Sequence, residues 1–399
     1  MTIERGGEPL TTGSEALTVA RSLAAGFAER ATDGDRLGRL PVEDLEDLRR
    51  SGLLSLMVPT RLGGAGASFS EYARVAGAIG GASGSTALVF NMHASVTGAI
   101  AQTPDELVRG LGAPPSYFEA RDRVLRGAIE GSFYAVAMSE RGAGSRLSAL
   151  STTYAPTAEG FHIVGSKSFV TAAGLADAYL VAARQIGDSA AVSFFLVPAG
   201  DGVVVEETWD SLGMRATGSH DLHLDVTVGA DALVGGTEGV GLVFAELMPY
   251  WLVASYAAVY VGVARAAIDA AVADLTRRSL EHLPAIRARI GRADAAVAAA
   301  ELVVLEAARQ VDEAPGSSEA NRWAWRAKLL AGDTAAAVAS SMLEAAGASS
   351  SRRGHPLERL YRDARCGALQ PATSDVCADW LGLATLGRDP NRDTETPRW

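Results

Sequence analysis

The sequence predicts an α+β protein in three consecutive parts: an N-terminal helical domain over 1–130, a middle β-barrel or β-sandwich domain over 131–235, and a C-terminal four-helix bundle over 236–399. Three observations carry this prediction. Apolar residues recur at helical spacing through the first part. Short apolar runs separated by Gly, Asp and Pro turns then follow at strand-like intervals. Ala- and Leu-rich segments of helical length return after them.

In the first part, Pro41 suits a first helical turn, and Val42, Leu45 and Leu48 share one face until Gly52. Val58-Pro59 and Gly63-Gly64-Ala65-Gly66 mark a loop. Ser68-Phe69-Ser70-Glu71 reads as a capping box opening a helix through Tyr72, Val75 and Ile79, and Ser85 to Ile100 reads as another helix. The strands expected in the middle part follow the apolar run Phe133 to Met138. They are Ser151 to Ala155, Phe161 to Val164, Tyr179 to Ala183, Val192 to Val197, Gly202 to Glu206 and Leu222 to Val228. The expected bundle helices are 239–276, 282–312, 319–347 and 372–387. They are joined through Pro315-Gly316-Ser317-Ser318 and Gly347 to Gly354.

Composition narrows the function classes. With 399 residues, 48% of them hydrophobic, the chain has ample core for two or three domains. A formal charge of −11 argues against a basic nucleic-acid-binding surface. The longest apolar run, Trp251 to Ala264, is too short to span a membrane and is followed by Arg265 and Asp269. The first residues lack the pattern of a signal peptide. Cys366 and Cys377 form no ligand or disulfide framework, and the six histidines show no zinc spacing. A metal-free cytoplasmic protein without nucleic-acid or membrane partners is the expectation. Lysine is nearly absent: Lys167 and Lys328 are the two, leaving 36 − 2 = 34 arginines.

Two stretches carry the chemistry. Met138-Ser139-Glu140-Arg141-Gly142-Ala143-Gly144-Ser145 closes an apolar run with a glycine-rich loop, whose backbone N–H groups and hydroxyl suit the oxygens of a pyrophosphate. Gly165-Ser166-Lys167-Ser168-Phe169-Val170-Thr171 alternates like a strand. It puts Phe169 and Thr171 on one face, an aromatic plate beside a hydroxyl that together suit a flat heterocycle. His93, His220 and His355 read as structural or loop histidines, Arg277 and Arg278 as a solvated helix face, and Trp323 with Trp325 as packing.

With these stretches, Leu212-Gly213-Met214-Arg215-Ala216-Thr217 and Leu360-Tyr361-Arg362-Asp363-Ala364-Arg365 make the chain resemble the acyl-CoA dehydrogenase family over nearly its whole length. The resemblance implies FAD as cofactor and an acyl thioester, carried by CoA or an acyl carrier protein, as substrate. It implies an electron acceptor as partner and a homodimer or homotetramer; wide apolar faces such as Leu302, Val303, Leu305, Ala307 and Ala308 agree with the latter. By the same resemblance Met138, Ser139, Gly144, Ser145, Phe169, Thr171, Arg215, Thr373 and Ser374 are the cofactor-binding residues, with Ser145 at the pyrophosphate and Phe169 and Thr171 at the isoalloxazine.

The departures from the family pattern concern the catalytic base. The glutamate expected before the Thr-Ser pair is Pro371, and an alternative position on the first bundle helix is Leu252. Asp375, Glu246 and His220 are the remaining candidates, so the catalytic residue stays unassigned. Where relatives carry Arg-x-x-Phe-Gly reaching a neighbour's FAD, this chain runs Ser279-Leu280-Glu281-His282 after Arg277-Arg278. Three functions are consistent with this pattern: an FAD-dependent oxidoreductase of the acyl-CoA dehydrogenase type, a flavin monooxygenase supplied by a flavin reductase, and a non-redox relative that binds a thioester or partner. The second does not need the missing glutamate.

Overall fold

A computed structural model describes residue 10, residues 12–390 and residues 392–393, without the side chains of Ser189 and Leu252. The N-terminal part is helical. Helix α1 (Gly13–Leu37) begins where the Thr12 side chain accepts the Glu15 N–H. Helices α2 (Val42–Arg50) and α3 (Phe69–Ala82) follow, and α3 starts with the expected capping box, both of whose hydrogen bonds form. Helix α4 (Gly84–Gln102) is buried almost throughout because it runs through the middle of the molecule, and α5 (Asp105–Gly110) and α6 (Pro115–Ile129) complete the part. His93 of α4 accepts the Tyr134 N–H at Nδ1 (3.0 Å) and donates from Nε2 to the Leu54 carbonyl (2.7 Å). That pairing requires the neutral ring, and burial lowers its pKa to about 4.

The middle part is one mixed seven-stranded sheet: β1 (Tyr134–Ala137), β2 (Thr153–Pro156), β3 (Gly160–Val170), β4 (Ala178–Gln185), β5 (Asp188–Pro198), β6 (Val203–Glu206) and β7 (His220–Gly229). Its order is β1-β4-β2-β3-β7-β6, with β5 pairing β4 off that path. β1 and β2 run parallel to β4, and the other pairs are antiparallel.

The C-terminal part departs from the expectation in two places. The segment 239–276 is three helices: α7 (Gly241–Leu247), α8 (Pro249–Leu252) and α9 (Ser255–Arg277). Pro249 has no N–H to donate and pushes Met248 out of the helical region, to φ −125° and ψ 47°. Helices α10 (Pro284–Glu313) and α11 (Ser318–Ala346) match their predicted segments. A helix not expected from the periodicity, α12 (Pro356–Arg365), then carries the Arg362-Asp363 motif before α13 (Ser374–Thr385). The apolar face proposed on α10 points two ways, since Ala307 and Ala308 are buried while Leu302 is 69% exposed.

The N-terminal helices and the bundle share one core. Helix α9 crosses α3 so closely that a Cβ on Gly262 would lie 2.4 Å from the Gly77 carbonyl oxygen. Only glycine lets two helix backbones approach to that distance.

Candidate functional site

The glycine-rich stretch folds back on itself as soon as β1 ends. Glu140 and Gly144 exchange both backbone hydrogen bonds (2.9 and 2.8 Å), with Gly144 at φ 62°. The Gly144 N–H is therefore engaged within the turn and is not available to a phosphate, contrary to the expectation for this loop. The buried Glu140 carboxylate accepts from Lys167 Nζ (2.7 Å), Ser151 N (2.6 Å), Ser151 Oγ (2.5 Å) and Thr152 N (3.1 Å). Burial opposes ionisation of this carboxyl, but Lys167 and the Ser151 donors outweigh it and hold the pKa at about 2. Burial brings the Lys167 ammonium down to about 8 against the pull of Glu140. The ion pair pins the turn to β3. The sequence carried a signal for it, a lysine inside an apolar strand of a chain with two lysines.

Strand β3 does not alternate to its end. The register shifts between Lys167 and Val170, and Phe169 takes the left-handed conformation at φ 57°. Phe169 and Thr171 are thus not placed by simple strand alternation, because the bulge rotates the chain between them. Phe169 stands 66% exposed, edge-on to Trp209 with centroids 6.0 Å apart. Thr171 is buried and hydrogen-bonds Ser219 (3.0 Å). Ser219 bonds Thr217 (2.8 Å), which donates to the Met214 carbonyl (2.9 Å). The Ser168 hydroxyl is buried with no protein partner among the described residues.

The loop Asp210–Thr217 is held from α12. Asp363 accepts the Met214 N–H (2.6 Å), and Arg362 reaches the Leu212 carbonyl (2.9 Å), Asp35 (2.6 and 2.9 Å) and Glu358 (2.7 Å). A Cβ on Gly213 would lie 2.2 Å from the Arg362 carbonyl oxygen, so loop and helix touch backbone to backbone. On the far side, Lys328 of α11 donates to the carbonyls of Gly367 (2.8 Å), Gln370 (3.0 Å) and Ala372 (2.9 Å).

Between these walls lies a cavity of about 510 Å³. Seven of the nine residues expected to bind a cofactor line it: Met138, Ser139, Gly144, Ser145, Phe169, Thr171 and Thr373. Arg215 does not; it donates to the Asp35 carbonyl (3.1 Å), Asp210 (2.8 Å) and the Ser211 carbonyl (3.0 Å). Ser374 does not either, and donates to Asp333 (2.7 Å). Pro371 lines the cavity, while Asp375 and Glu246 are exposed outside its wall, and His220 accepts the Trp209 N–H at 3.1 Å. Sequence reasoning did not single out Ser168, Leu369 and Gln370, which neighbour residues it did name, nor Trp209, Ser219 and Tyr256, which the fold brings to the wall. A smaller apolar pocket, with Trp251 in its lining, shares Val136 and Met138 with the cavity.

No Asp, Glu, His, Lys or Arg is among the described residues lining the cavity. Its ionisable groups are Tyr256 and Cys366. Burial pushes both up to about 12, with Asp363 adding to the effect on the thiol. At neutral pH the wall is uncharged.

Three family models match in chain order: acyl-CoA dehydrogenase N-terminal domain over residues 16–109, middle domain over 135–227, and C-terminal domain over 254–374. The chain belongs to the acyl-CoA dehydrogenase family. Among similar proteins, YdbM of Bacillus subtilis (strain 168) is 30% identical over 89% of this chain and 92% of its own length. L-evernosamine nitrososynthase of Micromonospora sp. (strain ATCC 39149 / NRRL 15099 / SCC 1413) is 29% identical over 96% and 93%. The structure of FMN-bound TdsC, a dibenzothiophene monooxygenase from Paenibacillus sp. A11-2, superposes with a TM-score of 0.81 at 27% identity, covering 93% of this chain and 97% of that one.

Proposed function

We propose that this chain is a flavin-dependent monooxygenase built on the acyl-CoA dehydrogenase fold, with the cavity as its flavin and substrate site. The observation that carries this reading is the uncharged wall. Removing an α-proton from an acyl thioester needs a positioned base, worth about 10²–10⁴-fold in rate. Here the expected base position is a proline, and the two ionisable wall groups stay protonated at neutral pH. The similarity to a nitrososynthase and to an FMN-bound monooxygenase supports the same reading.

The wall fits a flavin. The exposed Phe169 ring is free to meet a flat heterocycle, the buried Ser168 hydroxyl lacks a partner, and the Thr171–Ser219–Thr217 hydroxyl chain offers donors and acceptors to a polar ring edge. Ser139 and Ser145 line the same cavity, and Ser145 is the hydroxyl that would hold a phosphate of the flavin. FAD, implied by the resemblance, carries an adenylate as well. Where relatives carry Arg-x-x-Phe-Gly reaching a neighbour's FAD, this chain runs Ser279-Leu280-Glu281-His282, and the preceding Arg277 and Arg278 are both bound to Asp274 of their own chain. FMN is therefore the flavin proposed. When bound in reduced form it supplies the electrons for oxygen chemistry, with a separate flavin reductase as partner. The residues of this chain orient it, exclude water and present an uncharged surface to the substrate.

The deciding experiment is anaerobic incubation of the FMN-loaded protein with a panel of acyl thioesters, followed by supply of reduced FMN and oxygen. The expectation is no bleaching by any thioester, no α-proton exchange in deuterated water, and oxygen uptake with reduced FMN. Thioester-dependent bleaching would overturn the monooxygenase reading.

A further inference from the structure

Met248, at the break between α7 and α8, and Trp251, three residues on, both line the smaller pocket beside the cavity. The pocket holds about 40 Å³, where one water needs about 10–15 Å³, so it has room for a limb of about three heavy atoms. The Trp251 indole is fixed in its wall. A Cβ on Gly98 would lie 2.1 Å from the ring, Nε1 donates to Gln102 Oε1 (3.1 Å), and the Phe69 ring meets it edge-on at 5.0 Å. The other polar side chains of the lining are already engaged. Ser95 donates to the Trp251 carbonyl (3.1 Å), Thr103 donates to the Ala99 carbonyl (2.6 Å), and Tyr117 bonds the Gly235 backbone. No charged side chain among the described residues lines the pocket or the cavity. A hydroxyl, an amide or a charge placed in the pocket would give up water and gain no partner, whereas an alkyl group gains burial. Val136 and Met138 face both spaces, and the flexible Met138 thioether is a partition that can yield to a ligand.

We infer that the substrate of this chain is a small, uncharged and largely apolar molecule. Its reacting part lies in the cavity, and a short alkyl limb of about three heavy atoms enters the pocket at Trp251. Trp251 and Met248 set the length of that limb and touch no reacting atom. A sugar ring is rejected from the pocket, since its hydroxyls would find no partner there. The inference rests on the monooxygenase reading above.

The test is calorimetric titration of the full-length, FMN-loaded protein with benzene, toluene, ethylbenzene and propylbenzene. Each added carbon is expected to tighten binding by about fourfold, the effect of one buried methylene. The alcohol 2-phenylethanol matches propylbenzene in shape but ends in a hydroxyl, and should bind at least about tenfold more weakly. Ala245→Leu and Ala99→Leu each fill the pocket from a different helix. Either variant should flatten the series while leaving the Kd values of benzene and of FMN unchanged. A flat series in wild type, or 2-phenylethanol binding as tightly as propylbenzene, overturns the inference and leaves the flavin reading standing. A series that keeps its slope in both variants does the same. If the protein takes up no FMN, or a thioester bleaches the bound flavin, the monooxygenase reading falls and this inference falls with it.

Discussion

Phe169 holds a conformation that few residues other than glycine adopt, and the bulge around it turns a large apolar ring outward toward the cavity. Such a ring contributes little to the core, so Phe169→Ala should leave the Tm nearly unchanged. It should weaken FMN binding by about three- to tenfold, the size of one aromatic contact; an unchanged Kd in a fluorescence titration would remove Phe169 from the flavin site. The residue types at this spot were legible in the sequence, because an aromatic two residues before a threonine is visible in any strand. The bulge was not, since Lys-Ser-Phe-Val contains no glycine or proline to announce it. The hydroxyl chain through Ser219 was hidden for a different reason: Thr171 and Ser219 meet although they stand 48 positions apart in the chain.

At the scale of elements, the turn 140–144 and strand β3 are joined through one buried ion pair, and its titration sets an acid limit. Glu140 ionises at about 2 in the folded chain, below its ordinary value of about 4.3. A carboxyl lowered on folding stabilises the protein fully above the ordinary value, and that stability is lost as pH falls from there through about 2. Stability measured by denaturant between pH 5 and 2 should therefore fall more steeply in wild type than in Glu140→Gln. At pH 7 that variant, leaving Lys167 buried and uncompensated, should lose about 3–5 kcal/mol; equal acid slopes for the two proteins would count against the assignment. Elements with strong periodicity, such as α3, α10 and α11, were legible almost to their ends. The split at Pro249 was masked by the unbroken apolar run around it, and α12 was masked by the Gly, Ser and Arg residues that precede it.

Across the whole molecule, the N-terminal helices, the sheet and the bundle each contribute a wall of the cavity, so its shape depends on how they dock. One tight docking point is the α3–α9 crossing. Gly262→Ala would push a methyl into the Gly77 carbonyl and should destabilise the fold by about 1–3 kcal/mol. A single calorimetric transition shifted to lower temperature would show the three parts unfolding together, and a split transition would show that they do not. The rarity of lysine has a practical consequence of its own. Both ε-amines are buried, one behind the glycine turn and the other behind the segment preceding α13. Amine-directed reagents such as succinimidyl esters thus have no lysine to modify on the closed molecule. Any acylation at residue 167 or 328, read by mass spectrometry after cleavage at arginine, counts openings of one named wall, and a bound ligand that closes the cavity would slow the two reactions to different degrees.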